Sequence, residues 1–322
     1  MDARGSLLMR RALQCVAAVV LVFTGGCRPD PVPTPAPTSP QRPAWADKLA
    51  DFRFRWTAEA GMSLDTGWAV PLRAYLESRR RTYYTPTANY TPNLDAAYPG
   101  YLRATPEPLV YRSPEWKETP SPQRDIRADT GTPGYVTGSG GPVQGVAGNE
   151  DLHVLRIEPL SSGFRAFVCD ATYRVYKKTS NTSQFLPVFY EANDGPFDPD
   201  LVNTQVWRIE FSDRDPRAGT TPPAPTTPQR GPSPTPRDDV FGPWFVTGAE
   251  FAQFWSDVDY PGLEPDSPEA AQRRQEAQEA VKTRRQQCID HYPLDRAQRT
   301  KLATTILDAP PPVEPAQPGW PQ

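Results

Sequence analysis

The sequence predicts an α+β domain: N-terminal helices packed on a curved antiparallel sheet, then a C-terminal helical segment, with proline-rich disordered stretches between and after them. Three patterns support this class. Apolar residues recur at helical spacing between residues 44 and 84, and from residue 152 the period changes to two, which is typical of strands. Beyond residue 267 the pattern is helical again.

We expect two helices to open the folded part. The apolar stripe of the first helix, at spacings i, i+4, i+7 and i+11, consists of Trp45, Leu49, Phe52 and Trp56. The second helix begins near Pro71, because proline suits the first turn of a helix. It ends in Arg79, Arg80 and Arg81, which complement the helix dipole and which we expect to be solvated.

The strongest strand signal runs from Phe164 to Lys177. One of its faces carries Phe167, Cys169, Ala171, Tyr173 and Val175. The other begins apolar and turns polar at Asp170, so we assign the first face to the interior. A later strand, Gln205–Ser212, places Trp207 and Phe211 inward by the same alternation.

The inward-facing aromatic residues are the candidates for a ligand pocket. With one histidine they form the set His153, Phe167, Tyr173, Trp207 and Phe211. His153 shares a strand face with apolar residues, so it is either a core residue or a group that reaches into the interior. No catalytic motif of known spacing accompanies it.

Cysteine usage predicts one disulfide. Cys169 lies on the inward strand face, and Cys288 lies on the least polar face of a helix that begins near Ser267. We expect these two to pair, the alternative being two separate buried thiols. No metal site is expected, because the only histidines, His153 and His291, lack ligand-like spacing with both cysteines.

The first 43 residues have the features of an export segment. Arginines precede a short apolar run, Ala12–Phe23, which is shorter than the roughly 20 residues that span a membrane. The following Thr24-Gly25-Gly26-Cys27 resembles the lipobox of bacterial lipoproteins. The resemblance implies a signal peptide at 1–26, palmitate-type acylation of Cys27, and a Pro/Thr-rich tether at 27–43. An ordinary cleaved secretion signal is the alternative.

Proline marks the remaining boundaries. The chain holds 41 prolines in 322 residues, well above the usual share of about 5%. We expect an α+β globular domain at 44–260 with a disordered insertion at 214–238. C-terminal helices at 261–309 pack on this domain, and 310–322 form a disordered tail.

The order of elements over residues 44–212 resembles the nuclear-transport-factor-2-like group, in which N-terminal helices fill the concave side of a curved sheet. That resemblance implies either a binding module or an enzyme with a carboxylate or histidine inside the cone. We expect a lipid-anchored extracytoplasmic protein that binds an envelope protein or an apolar small molecule, without a cofactor. The alternative is a cell-surface enzyme that uses His153 for proton transfer or hydrolysis. Nucleic acid is not an expected partner, because the net charge is −3 and no basic patch with interleaved aromatics occurs.

Overall fold

The computed structural model describes residues 47–87, 91–105, 123, 126–127, 142–189, 198–214, 221–251 and 267–322. These residues form an α+β fold, as the sequence predicts. The strands are β1 (Phe52–Ala58), β2 (Val143–Leu160), β3 (Gly163–Thr179), β4 (Phe185–Pro187), β5 (Thr204–Ser212) and β6 (Phe245–Phe251). The helices are α1 (Ala69–Tyr84), α2 (Tyr101–Ala104), α3 (Pro199–Asn203), α4 (Pro268–His291) and α5 (Arg296–Thr304).

The six strands form one mixed sheet in the order β1-β2-β3-β5-β6, with β4 paired to the far end of β3. The β1 strand runs parallel to β2, and every other pairing is antiparallel. The expectation of a purely antiparallel sheet is therefore wrong at this one edge.

The first predicted helix is a strand from Phe52 onward; Leu49 ends a short 3-10 helix, Asp47–Leu49, and Trp45 lies outside the described residues. Phe52, Phe54 and Trp56 are buried in β1, whereas Arg53 and Arg55 between them are partly exposed. This alternation has the period of two that a strand requires, and it prevails over the helical spacing that the wider stripe suggested.

The second predicted helix is confirmed as α1, but its three arginines are buried and not solvated. Each arginine has an internal partner. Arg79 lies over the ring of Trp207 at 4.7 Å and Arg81 over the ring of Tyr98 at 4.9 Å. The remaining Arg80 forms ion pairs with two buried carboxylates of the sheet. Buried charges are retained in proteins only when they are paired in this way.

Helices cover both faces of the sheet. We call the face that packs on α1 the inner face and the one that packs on α4 and α5 the outer face. The inner-face core includes Phe164, Val168, Trp207 and Phe211 from the strands and Leu72, Tyr75 and Leu76 from α1. The outer face carries Phe167, Cys169 and Val206 against α4, and Tyr173 against α5.

This layering reverses the predicted assignment of the faces of β3. The residues Phe167, Cys169 and Tyr173 lie away from α1, whereas Asp170 lies on the inner face. The C-terminal helices bury the outer face, so both faces of β3 are interior, and alternation alone could not identify the side that meets α1.

The proline-rich segments hold defined positions, which corrects the expected disorder at 221–238 within the insertion and at 310–322; residues 215–220 lie outside the described part. The side chain of Trp320 is 1% exposed, and its backbone pairs with Ser233. Arg73 of α1 donates to the carbonyl oxygens of Gln229 and Pro318 at 3.0 and 2.7 Å. These segments add no core of their own, but their carbonyl groups satisfy a buried cation and Trp320 fills the space beside it.

Candidate functional site

The two histidines of the chain meet on the outer face of the sheet. His153 lies on β2, directly between Thr57 of β1 and Cys169 of β3 in the strand register. His291 is the last residue of α4. The two imidazole rings are stacked, with their centroids 3.5 Å apart and an angle of 27° between their planes.

A disulfide fixes the position of this pair, which confirms the predicted bridge. Cys169 and Cys288 are bonded, with their Cα atoms 5.4 Å apart. Cys169 is the cross-strand partner of His153, and Cys288 precedes His291 by about one turn of α4. The covalent bond between helix and sheet therefore also brings the two histidines together.

The imidazole of His153 is held by a hydroxyl on one side and faces a carboxylate on the other. Its Nδ1 is hydrogen-bonded to Thr57 Oγ1 at 2.8 Å, and its Nε2 lies 3.4 Å from Glu59 Oε1. Burial and the neighbouring His291 lower the pKa of His153, whereas Glu59 opposes this shift. Its neutral form is therefore favoured at neutral pH, with one ring nitrogen available as an acceptor.

A cavity of about 470 Å³ opens beside the histidine pair, and we call it the outer cavity. Its volume lies within the range of roughly 300–1,000 Å³ that is usual for ligand sites. Its apolar wall is formed by Leu152, Ala171, Tyr292, Pro293, Leu294 and the disulfide. The polar residues around it include His153, His291, Arg55, Asp151, Arg174 and Glu314.

The charges beside the outer cavity are paired with one another. Arg174 donates to both oxygens of Asp151, at 2.6 and 3.0 Å, and to Glu314 at 2.6 Å. Arg55 lies 3.1 Å from Glu314, and Tyr292 donates to Asp151 at 2.9 Å. The Arg174 guanidinium lowers the pKa of Glu314. Because opposite charges alternate here, the cavity favours a neutral ligand over a strongly charged one.

A second cluster of ionisable groups lies on the inner face. Arg80 is placed between Glu150 of β2 and Asp170 of β3, and Tyr84 donates to Glu150 at 2.7 Å. Trp207 donates its indole N–H to Asp170 at 2.9 Å. Burial raises the pKa of Glu150, although Arg80 opposes the shift.

Sequence reasoning missed this inner cluster, because Asp170 was assigned to the face opposite the interior. A signal was present in the residue order. Asp170 follows Phe164, Ala166 and Val168 at strand spacing, so it continues a face that is apolar up to that point. The cluster is enclosed and internally paired, so it supports the packing of α1 on the sheet.

The structure does not bring the five predicted pocket residues together. Trp207 and Phe211 lie in the inner core, with Phe211 in edge contact with Tyr75. Phe167 lies beside the disulfide. The hydroxyl of Tyr173 donates to Asp200 at 2.6 Å, in a cluster under α5. His153 alone of the five borders the outer cavity.

Cys27, with the whole of residues 1–43, lies outside the described residues. Among the helices that the structure describes, none is long and apolar enough to cross a bilayer. Comparisons of the chain with protein-family models, with curated proteins and with solved structures found no match.

Proposed function

We propose that the chain is a lipoprotein anchored to the extracytoplasmic side of the cell membrane through Cys27, and that its domain acts by binding. The observation that carries the proposal is the outer cavity, whose walls are held in place by the disulfide and by the C-terminal segment. Gln317 pairs with β1 at the edge of the sheet, so this segment forms part of the cavity's border. A preformed cavity of this kind binds a ligand at low cost in ordering.

The chemistry of the cavity indicates the class of ligand. Its wall is apolar and aromatic, and the charged groups around it are already paired. A small, largely apolar molecule with a few hydrogen-bonding groups fits these features. An envelope protein that inserts an apolar side chain would use the same wall.

A variant that reduces the cavity tests the binding proposal. Ala171 lines the cavity on β3, so Ala171→Leu places extra methyl groups in the space for the ligand. Ala271→Leu makes the same change on the exposed surface of α4 and serves as the control. Both proteins are purified from the native membrane, and the organic extract of each is analysed by mass spectrometry.

We expect the wild type and Ala271→Leu to yield the same small molecule, and Ala171→Leu to lack it. A folded Ala171→Leu protein that retains the molecule would contradict the cavity as its site.

For the anchor, Cys27→Ala should move the protein from the membrane fraction to the soluble one, whereas an unchanged distribution would contradict lipidation at this residue.

One arrangement favours the alternative of a cell-surface hydrolase. The Thr57 hydroxyl is hydrogen-bonded to His153, which faces the Glu59 carboxylate. Neutral His153 could accept the Thr57 proton, and Glu59 would stabilise the resulting imidazolium. Turnover of p-nitrophenyl esters that His153→Gln abolishes without loss of folding would support this alternative. Absence of turnover, or turnover that His153→Gln retains, would oppose it.

A further inference from the structure

We propose that Glu59, His153 and His291 form a binding site for a divalent transition-metal ion such as Zn²⁺. The three side chains come from the residue that follows β1, from β2 and from the end of α4, and each offers one ligand atom. Those atoms all lie within 4.8 Å of one another. Two imidazoles and one carboxylate suit zinc, copper or nickel better than calcium or magnesium, which prefer oxygen ligands.

The distance between two of the ligand atoms matches metal coordination. His153 Nε2 and Glu59 Oε1 are 3.4 Å apart, which is long for a hydrogen bond to a carboxylate. Ligand atoms about 2.0–2.1 Å from a tetrahedral zinc lie about 3.3 Å from each other. The separation of these two atoms therefore already matches that of two ligands of one ion.

Thr57 gives His153 the orienting partner that metal-binding histidines usually have. When Nε2 binds a metal, Nδ1 carries the proton and needs an acceptor. The Thr57 hydroxyl, 2.8 Å from Nδ1, can serve as that acceptor because a hydroxyl both donates and accepts. The backbone also restrains Glu59, whose N–H donates to the carbonyl of Val154 at 3.1 Å.

The third ligand must turn towards the other two. The stacked rings do not direct their nitrogen lone pairs at a common point, so His291 has to change rotamer. His291 is exposed and ends α4, where little packing opposes such a change. Three protein ligands leave one coordination position for water or for a group of a bound molecule.

The neighbouring positive charges oppose the metal but are directed elsewhere. Arg284 and Arg156 line the surface pocket that also contains Glu59 and His291. The Arg284 guanidinium lies 4.3 Å from the ring of Phe167, and Arg156 pairs with Glu158 at 3.1 Å. The two arginines therefore lower the affinity of the site for a metal ion, but they do not occupy the position of the ion.

This inference goes beyond the proposed function and does not depend on it, because metal binding and retention of an apolar ligand are measured separately. The full chain is purified in detergent, freed of metal with EDTA, and titrated with ZnCl₂ in a calorimeter. A parallel titration with Co²⁺ reports the coordination geometry through its visible absorption. We expect one ion per chain, a tetrahedral cobalt spectrum, and no competition from Ca²⁺.

The variants localise the ion. His291→Ala and Glu59→Gln change exposed residues, so folding should be retained, and each should weaken Zn²⁺ binding by at least about 10-fold. Thr57→Val keeps the shape of the side chain but removes the acceptor, and we expect a loss of about 10-fold. Glu279→Gln removes a carboxylate from the exposed surface of α4 and should leave the affinity unchanged.

Two results would overturn the proposal. One is the absence of stoichiometric Zn²⁺ binding by the folded wild-type chain. The other is binding that both His291→Ala and Glu59→Gln retain at full affinity, which would place the ion elsewhere.

Discussion

At the scale of single residues, the domain depends on buried charges that have specific partners. Arg80 is 4% exposed and pairs with Glu150 and Asp170, neither of which is exposed. Burial lowers the pKa of Arg80, but the two carboxylates raise it above its ordinary value. Arg80 therefore remains charged. The arginine thereby lets two acidic groups lie in the core.

Replacement of Arg80 should be costly, because it leaves two carboxylates buried without their cation. We expect Arg80→Met to lower the free energy of unfolding by about 3–5 kcal/mol. The exposed Arg273→Met on α4 should change it by less than about 0.5 kcal/mol. Urea denaturation measures both, and similar stabilities of the two variants would contradict the structural role of Arg80.

Asp200 should contribute to the acid sensitivity of the protein. It accepts two hydrogen bonds from Arg299, at 2.7 and 2.8 Å, and one from Tyr173. The bonds from Arg299, more than that from Tyr173, lower the pKa of Asp200 below its usual 3.8 despite the opposing effect of burial. Near pH 3.8 the unfolded chain therefore binds more protons than the folded one. The stability that the Asp200 carboxylate contributes is present above pH 3.8 and is lost as the pH falls below it.

We expect Asp200→Asn to destabilise the protein by about 3 kcal/mol at pH 7, because Arg299 loses its buried counter-ion. The difference from the wild type should shrink towards pH 3. Urea unfolding from pH 3 to pH 7 measures it, and a difference that is independent of pH would contradict this role of the carboxylate.

At the scale of elements, the disulfide is the main connection of α4 to the sheet. Only Ala270, Val281 and Cys288 of this long helix are buried among its described side chains. A helix with so little apolar contact gains little from packing. The bond to Cys169 therefore keeps the end of α4, and with it His291, against β2 and β3.

Removal of the disulfide should weaken both stability and the site. The bond joins residues 119 positions apart, for which the chain-entropy model gives about 4–5 kcal/mol. We expect the Cys169→Ser/Cys288→Ser double variant to lose stability of this order in urea denaturation. Its amide hydrogens in α4 should also exchange faster, and unchanged exchange there would contradict the account of the helix.

The C-terminal segment should stabilise α1 beside the β1 edge of the sheet, where Gln317 pairs with Arg55. Trp320 donates its indole N–H to Glu77 at 2.8 Å, and Arg73 lies over its ring at 4.1 Å. We expect Trp320→Ala to cost about 3–5 kcal/mol. Trp68→Ala makes the same change at a side chain that is 37% exposed and stacked on Phe164, and it should cost about 1 kcal/mol. Equal losses in thermal unfolding would indicate that residues 310–322 do not pack as described.

For the molecule as a whole, local sequence patterns predicted the helices and strands better than they predicted which of these elements lie side by side. The strand β3 and the helix α4 follow from their local periods, and the pairing of Cys169 with Cys288 follows from cysteine usage. The parallel pairing of β1 and the order of layers depend on contacts between distant segments, which no local period contains. The same limit explains why Asp170 was assigned to the wrong side.

The candidate site was predictable only in part. His153 was identified as a possible functional residue, but its proximity to His291 depends on the disulfide that brings α4 onto β2. The defined positions of residues 221–238 and 310–322 were not predicted, because amino-acid composition indicates only how much apolar surface a segment can bury by itself. Here Trp320 and the carbonyl groups around Arg73 are stabilised by a core that other segments form.

Native mass spectrometry of the full chain, extracted gently from its own membrane, tests most directly whether the domain acts by binding. We expect a wild-type complex that carries a molecule of a few hundred daltons, or a second polypeptide at fixed stoichiometry, beyond the acyl groups on Cys27. Ala171→Leu should lack this extra mass and Ala271→Leu should keep it. A wild-type protein that carries no bound species and hydrolyses esters in a His153-dependent manner would contradict a binding role for the domain.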